Sequence, residues 1–507
     1  MTVVVGCSGI GTPSPEGDPF PAQAAAETFS VGYGNIASKY IEPVPIGELA
    51  VEGMRGLGVL DPALTVRQAN GQIVLAAGEG DVARFAAPPG DDPGAWASLT
   101  AEVSRAGRTV SSDLYQASIE QIYEAVFDGA LSRLDPYSRY AGREEAGRNR
   151  ANRDGFGGIG IRFQARNGLF RITEVMEGTP ADAVGLAIDD RITHIDGAPT
   201  AGLPLKDVIE HLRGPLDSPI SLTVVRDGVE NPLVFAMTRV HIVPTSVTAS
   251  FADGLLTLDV HRFNRATADA AGRAIDAALQ RHGKALVGVI LDLRDNPGGL
   301  LKEAVRLADL FLTQGEIVAT QGRHPDSLQH YEAEEGDVTA GLPLVVLVDG
   351  RSASAAEIAA AALQDRSRAV VIGTTSFGKG TVQTVIRLPN DGEVTLTWSR
   401  FVMPSGYLLH ELGVHPTVCT SGTSIDGDDP LGLAAADRGD AAGILVAWRT
   451  VDLADETRRR ELRAACPAQR RPQPGDLDVA KRLLKDRALY TRVLGLANPA
   501  PTAASIR

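Results

Sequence analysis

LVVLVDGRSASAAEIAAAALQD, residues 344–365, opens with the apolar run Leu344–Val348, turns through Asp349-Gly350-Arg351, and continues as an alanine-rich stretch. A short β-branched apolar run closed by a turn signal reads as a buried strand, and the alanines after it read as helix. A strand feeding a helix through a tight turn is the repeating unit of a parallel α/β sheet. A serine at that junction lies at the carboxyl end of the sheet, beside the partial positive charge of a helix N-terminus. Ser352 or Ser354 can equally be a plain helix cap, a role serine favours.

Outward from this segment the same alternation holds from His241 to about Val418. The strands LLTLDV, LVGVILDL, LVVLVD and AVVIG are separated by helical stretches at 266–280, 301–312 and 355–364, and TVQTVIRL and VTLTW follow. This is α/β texture around a mostly buried sheet.

GTTSFGKGT, residues 373–381, follows the last of those strands and is one residue from the phosphate-cradling pattern G-x-x-x-x-G-K-[ST]. Asp292 and Asp349 end strands, as a magnesium-binding acid would require. Two features oppose a nucleotide. Gly380 stands where the metal-ligating hydroxyl belongs, and Thr381-Val382-Gln383-Thr384-Val385-Ile386 is strand-like, whereas a phosphate loop must open a helix. No nucleotide or other cofactor is expected.

DGRSASAAEI, the twenty-five-residue step from Ser354 to Lys379 in SFGKGTVQ, and LDLRDNPGGLL at 291–301 together resemble the carboxyl-terminal processing peptidases, serine peptidases of family S41 with a lysine base. The likeness covers roughly residues 110–420. It implies a multidomain α/β protein: a helical N-terminal region, a PDZ-like β-rich domain, and an α/β Ser-Lys peptidase core of the ClpP/crotonase-like type. The resemblance implies Ser354 as nucleophile, Lys379 as base and Gln383 as the residue orienting the lysine. It also implies oxyanion-hole amides from Ala355 and Gly298 or Gly299, and a supporting acid at Asp365.

The chemistry explains these residue types. A serine hydroxyl is a weak nucleophile until a base takes its proton. Lysine serves only when neutral, and moving it from about 10.4 to about 7 requires roughly 4 to 5 kcal/mol of differential stabilisation. Burial supplies this by disfavouring the ammonium, and Phe377 with its flanking glycines suits a close-packed slot. Glycines in Asn296-Pro297-Gly298-Gly299 let backbone N–H groups approach a substrate carbonyl.

Asp154 to Val240 changes texture to short β-type runs, GFGGIGIRF, LFRITEV, RITHIDG and SLTVVRDG, with one helix in PLKDVIEHLRG (204–214). As a PDZ module it would bind a peptide C-terminus on Gly158, Ile159, Gly160 and Ile161, the peptide adding as a strand, with Val208 and Leu212 facing an apolar terminal side chain. Where the family usually has Gly-Asp, this chain has Ile188-Asp189-Asp190, a change in a turn.

The resulting division is a signal remnant and tether at 1–22, helices at 23–153, a PDZ domain at 154–240, the peptidase core at 241–420, and a C-terminal loop and helix at 421–507. Helical patterns lie at about 23–41, 44–57 and 111–134, and Leu-Asp-Pro recurs in GLGVLDPALT (56–65) and GALSRLDPYS (129–138). At 507 residues with a net charge of -14, the chain has no basic face for nucleic acid. Cys419 and Cys466 either pair or stand as unrelated thiols. Cys7 in MTVVVGCSG reads as the end of a lipoprotein signal or as a chance match, since only six residues precede it. The histidines of HELGVH (410–415) are five apart with an internal glycine, unlike the helical zinc pattern, and read as surface or strand residues; no metal is expected.

The expected function is a serine endopeptidase of the bacterial periplasm or cell envelope, lipid-anchored if Cys7 is modified. It would act on proteins or peptides with apolar C-termini, with a homodimer through the N-terminal helices. The alternative is a PDZ-based binding or scaffold protein with a lapsed site.

Overall fold

A computed structural model describes residues 20–334, 336–422, 431–432, 438–473 and 475–497; Cys7 and most of the tether lie outside them. Two compact units divide the chain. The first comprises the chain up to Gly147 with Gly322–Ser327 and Gln383–Ser399; the second is Arg148–Gln321, Leu328–Val382 and the chain from Arg400. Residues 383–399, inside the stretch read as peptidase core, therefore group with the N-terminal region.

In the first unit the helices Ala22–Lys39, Ile46–Gly56, Pro93–Val110 and Ile119–Leu131 pack through Phe29, Tyr33, Met54, Trp96 and Phe127. The region is not purely helical. Leu64–Ala69, Gln72–Ala77 and Gly80–Ala86 form an antiparallel meander. Its first turn, Asn70-Gly71, takes positive φ at both residues, the geometry that matches the twist of paired strands.

The repeated Leu-Asp-Pro is one device used twice. Asp61 Oδ1 accepts the Ala63 N–H (2.9 Å) and Asp135 Oδ1 the Tyr137 N–H (2.9 Å). The second oxygen of each accepts a serine hydroxyl, from Ser111 (2.6 Å) and Ser138 (2.7 Å). Asp135 also accepts the Thr397 hydroxyl (2.8 Å), and Ser138 Oγ accepts the Thr397 N–H (3.1 Å), which pins the strand Glu393–Val402 to the helical layer.

The second unit contains both six-stranded sheets. In its first module the strands Ile161–Arg166, Leu169–Val175, Arg191–Ile195, Pro219–Val225 and Leu233–Thr238 lie side by side in chain order around Phe170, Ile172, Val208 and Leu222. Asp189 adopts φ +76 at the altered turn, doing the work of the usual glycine. Asp190 beside it is buried against Arg226 at 2.7 and 2.8 Å, which holds its carboxyl below the usual range despite burial.

The core sheet runs Val247–Ala252, Leu255–Val260, Gly288–Asp292, Leu344–Val348, Val370–Gly373, Val418–Cys419, parallel from the second strand onward. Strand order advances in one direction only. Crossovers are right-handed, so Thr267–His282, Leu301–Asp309 and Ala355–Asp365 all fall on one face. The opposite face, Ile290, Val345, Leu347, Val370 and Ile372, is covered by Val479, Leu483, Tyr490 and Val493.

The C-terminal stretch is thus a layer of the core. Among the described residues the helices Arg438–Thr450, Glu456–Ala464, Asp476–Lys485 and Arg487–Leu496 stand where a loop and one helix were expected. The expected helix near 476–490 breaks at Asp486, whose carboxylate caps the next one through the Leu489 N–H (2.9 Å). Among the described residues no helix is long and apolar enough to cross a membrane.

Asp135→Ala strips the acceptor shared by Tyr137, Ser138 and Thr397. It should lower stability by about 1–3 kcal/mol, the range for stranded polar partners, read as a lower urea midpoint at unchanged slope.

Candidate active site

Three loops leave the carboxyl ends of adjacent parallel strands: Leu293–Gly299 after Asp292, Asp349–Ser354 after Val348, and Thr374–Gly380 after Gly373. In open α/β sheets this edge is where ligands bind. Asn296, fully buried, joins two of the loops to the sheet. Its side-chain NH2 donates to the Val260 carbonyl (2.5 Å), its Oδ1 accepts the Gly298 N–H (2.8 Å), and its carbonyl accepts the Ala353 N–H (2.9 Å).

The two serines part company. Ser352 is fully buried and its hydroxyl is spent on structure, donating to the Leu293 carbonyl (2.8 Å) and accepting the Asp349 N–H (2.9 Å). Ser354 is half-buried and takes φ 55 and ψ -113 at the start of Ala355–Asp365. Such a backbone costs a non-glycine residue on the order of 1–3 kcal/mol, and it persists only where the surroundings over-determine it. Gly298, at φ +93, is what leaves room: a Cβ there would lie 2.9 Å from Ser354 Cβ and 3.0 Å from Ala355 N. Ser354, Ala355 and Gly298 therefore meet. The Gly298 N–H, one of the expected oxyanion donors, is held by Asn296.

The residue that organises the site was not singled out in the sequence. Glu357, fully buried, accepts four hydrogen bonds. Oε2 takes the Ser354 N–H (2.7 Å) and the Lys379 N–H (2.9 Å); Oε1 takes the Gly378 N–H (2.7 Å) and the Ser376 hydroxyl (2.5 Å). One oxygen thus bridges the two candidate residues, whose backbone nitrogens can be no farther apart than those two bonds laid end to end. Burial pushes the Glu357 carboxyl above its ordinary range, and the four donors pull it part of the way back. The signal was legible: Ser354-x-x-Glu357 has capping-box spacing.

Lys379 is half-buried in a turn gripped from outside. Gly380 packs where a Cβ would fall 1.9 Å from His410 N, so the glycine that spoiled the phosphate-loop match is a steric necessity. The Glu411 N–H donates to the Gly378 carbonyl (2.7 Å) and the Val414 N–H to Ser376 Oγ (2.7 Å). Phe377 does not close a slot around the lysine; it is 42% exposed. The strand Thr381–Arg387 follows, as expected. Asp292 is paired with Arg294 (2.6 Å), and Oδ1 of Asp349 accepts the N–H groups of Asp295, Arg351 and Ser352.

Gln383 belongs to the first unit, where its side-chain NH2 donates to Thr397 Oγ1 (3.3 Å). Asp365 closes the far end of the Ala355–Asp365 helix, paired with Arg449 (2.7 Å) and accepting the Ser405 hydroxyl (2.7 Å). It anchors the Arg438–Thr450 helix, three turns from Ser354. His415 is buried, not on the surface: its ring lies 4.9 Å from Trp448, and desolvation pulls its pKa down to about 4.

In the PDZ-like module a groove of about 430 Å³ runs between the strand Ile161–Arg166 and the helix Leu205–Leu212. Gly158, Ile159, Gly160, Ile161 and Leu212 line it, together with Leu205 and Ile209. Val208, expected there, points the other way and is fully buried in the module's core. On a helix the groove side is the 205/209/212 stripe, and 208 falls on the sheet side.

Residues 254–420 match the model of peptidase family S41, and residues 171–226 that of the PDZ domain. Over 301 residues the chain is 38% identical to a carboxy-terminal-processing protease of Bartonella bacilliformis, an alignment covering 59% of this chain and 69% of that protein. The chain belongs to peptidase family S41. A probable CtpA-like serine protease of Staphylococcus aureus is 32% identical over 321 residues, 61% of this chain and 62% of its own length. Among solved structures, the photosystem II D1 C-terminal processing protease matches at 26% identity and a TM-score of 0.35, over 61% of this chain and 87% of its own. Family membership makes the chain a serine-type peptidase carrying a PDZ domain.

Glu357→Ala in this peptidase leaves three N–H groups and a hydroxyl without their acceptor. Peptidase activity should fall at least 100-fold, with stability lower by about 3 kcal/mol or more; activity near wild type would remove Glu357 from the site. His415 gives a separate test. Its folded pKa lies below the unfolded 6.5, so its contribution is complete above pH 6.5 and is lost as pH falls toward about 4. Unfolding at pH 7 and pH 4.5 should show His415→Gln losing less stability on acidification than wild type, by up to about 3 kcal/mol.

Proposed function

We propose that this peptidase cuts proteins near their C-termini through Ser354 and Lys379, the substrate tail being held in the groove of the PDZ module. The observation that carries the reading is the shared Glu357 oxygen, which holds the Ser354 and Lys379 backbones together. Neutral Lys379 takes the Ser354 hydroxyl proton as Oγ attacks the scissile carbonyl carbon. The Ala355 and Gly299 N–H groups meet the oxyanion, the kind of interaction typically worth about 3–4 kcal/mol in the transition state. The carbon–nitrogen bond then breaks, and the lysine ammonium returns the proton to the leaving amine. Water, deprotonated by the same lysine, hydrolyses the acyl ester and frees Ser354. The apolar side of the groove, Leu205, Ile209 and Leu212, favours substrates ending in an apolar residue.

The same reading puts the peptidase in the bacterial cell envelope. What supports it is the disulfide between Cys419 and the buried Cys466, 47 residues apart, a bond that persists in oxidising compartments. A lipid anchor at Cys7 and a homodimer through the N-terminal helices belong to this proposal. The mass of the mature N-terminus and sedimentation of the purified protein test them.

Incubation with an unstructured protein ending in Leu-Ala-Ala, followed by mass spectrometry, should give C-terminal cleavage by wild type and none by Ser354→Ala or Lys379→Arg. Activity should fall as pH drops and Lys379 protonates. Identical products from wild type and Ser354→Ala would overturn the assignment.

A further inference from the structure

The stretch Arg459–Gln469 lies beyond the part of the chain matched by the family model, yet it touches two of the three loops of the candidate site, Asp349–Ser354 and Thr374–Gly380. Arg459 and Arg463, one helical turn apart on Glu456–Ala464, direct their guanidinium groups at backbone carbonyls around the lysine turn. Arg463 donates to the carbonyls of Leu412 and Ser376, the latter at 3.1 Å. Arg459 donates to the carbonyls of His410 and Leu453. A few residues on, Gln469 accepts the Gly350 N–H (2.7 Å) from the serine loop, and its own N–H donates to Thr374 Oγ1 (3.1 Å) in the lysine loop. Between these contacts, Cys466 is fully buried and bonded to Cys419 on the edge strand of the core sheet.

We infer that Arg463 is a positioning residue for the Lys379 turn, delivered by the Cys419–Cys466 disulfide, and that it keeps that turn and Glu357 in the form the lysine base needs. This rests on the Ser354–Lys379 reading. The Ser376 carbonyl that Arg463 grips belongs to the residue whose hydroxyl binds Glu357, three positions before Lys379. Arg463 and Glu357 attract each other across this turn, while burial and the like charge of Arg459 work against the Arg463 cation. The arrangement answers a problem set by the chemistry. As a carboxylate Glu357 accepts all four donors, but an uncompensated carboxylate would hold a neighbouring lysine protonated. A fixed cation beside Glu357 offsets that charge and disfavours a second cation nearby. The charged groups around Arg463 are Glu357 on the serine helix, Glu411 on the neighbouring turn, and Arg459, Glu456 and Arg460 on its own helix.

The test uses the full-length oxidised protein and the unstructured protein substrate. Arg463→Ala should lower kcat about 10-fold or more with KM within twofold, and move the acid limb of the kcat–pH profile upward by about half a unit or more. Arg463→Lys should recover part of both. Arg458→Ala, on the solvent side of the same helix, serves as control and should match wild type. Cys466→Ser should reproduce the Arg463→Ala shift. A wild-type kcat and profile for Arg463→Ala overturns the inference. So does a loss of kcat with an unmoved acid limb that follows the melting curve of the variant. If Ser354→Ala or Lys379→Ala is still active, the dyad falls and this inference with it; if both are dead and Arg463→Ala is normal, only this inference falls.

Discussion

Glu357 sits in the first turn of a helix whose preceding residue is a serine in a backbone conformation few side chains tolerate. A carboxylate buried without partners would be costly enough to unfold the region or force it to take up a proton. Here its two oxygens accept four donors, drawn from the serine junction and from the lysine turn. Charge-assisted hydrogen bonds of this kind are among the stronger ones a protein makes. The cost of burying the charge is thereby turned into a constraint: the ionised group is satisfied only when both loops are in place.

The sheet makes that constraint possible. Parallel strands running in one spatial direction bring three loops to the same edge and put all three crossover helices on the same face. The other face must be covered by something else, and the C-terminal helices do it with Val479, Leu483, Tyr490 and Val493. Once that layer is required for the core, the connection leading to it passes over the site. The Cys419–Cys466 bond and the Arg459–Gln469 contacts follow from that route.

Much of the site was readable because its parts are local. Strand, tight turn and helix were plain in residues 344–365, and the glycines of NPGG and FGKG announced close backbone approaches. Gly380 does pack against His410, and the strand after it excludes a phosphate loop. The Asn70-Gly71 hairpin and the capping-box spacing of Ser354 and Glu357 were equally local signals, available but unread. Val208 and Phe377 were misassigned for a different reason. Helical periodicity finds an apolar stripe but does not say which edge of it meets a groove, and an aromatic beside a glycine turn can face either protein or solvent.

The sequence by itself determined the α/β alternation and the positions of the tight turns, because propensity, periodicity and turn chemistry act within a few residues; the pairing of a serine junction with a lysine turn came from the family resemblance. Only the tertiary structure decided that Ser352 is structural and Ser354 half-buried, that one oxygen of Glu357 bridges two loops, that Asp365 holds the Arg438–Thr450 helix, and that Cys466 and Arg463 belong to the neighbourhood of residue 379. Those relations join residues from about twenty to almost ninety positions apart. They depend on which loops the sheet brings to a common edge, and no local pattern of residues encodes that.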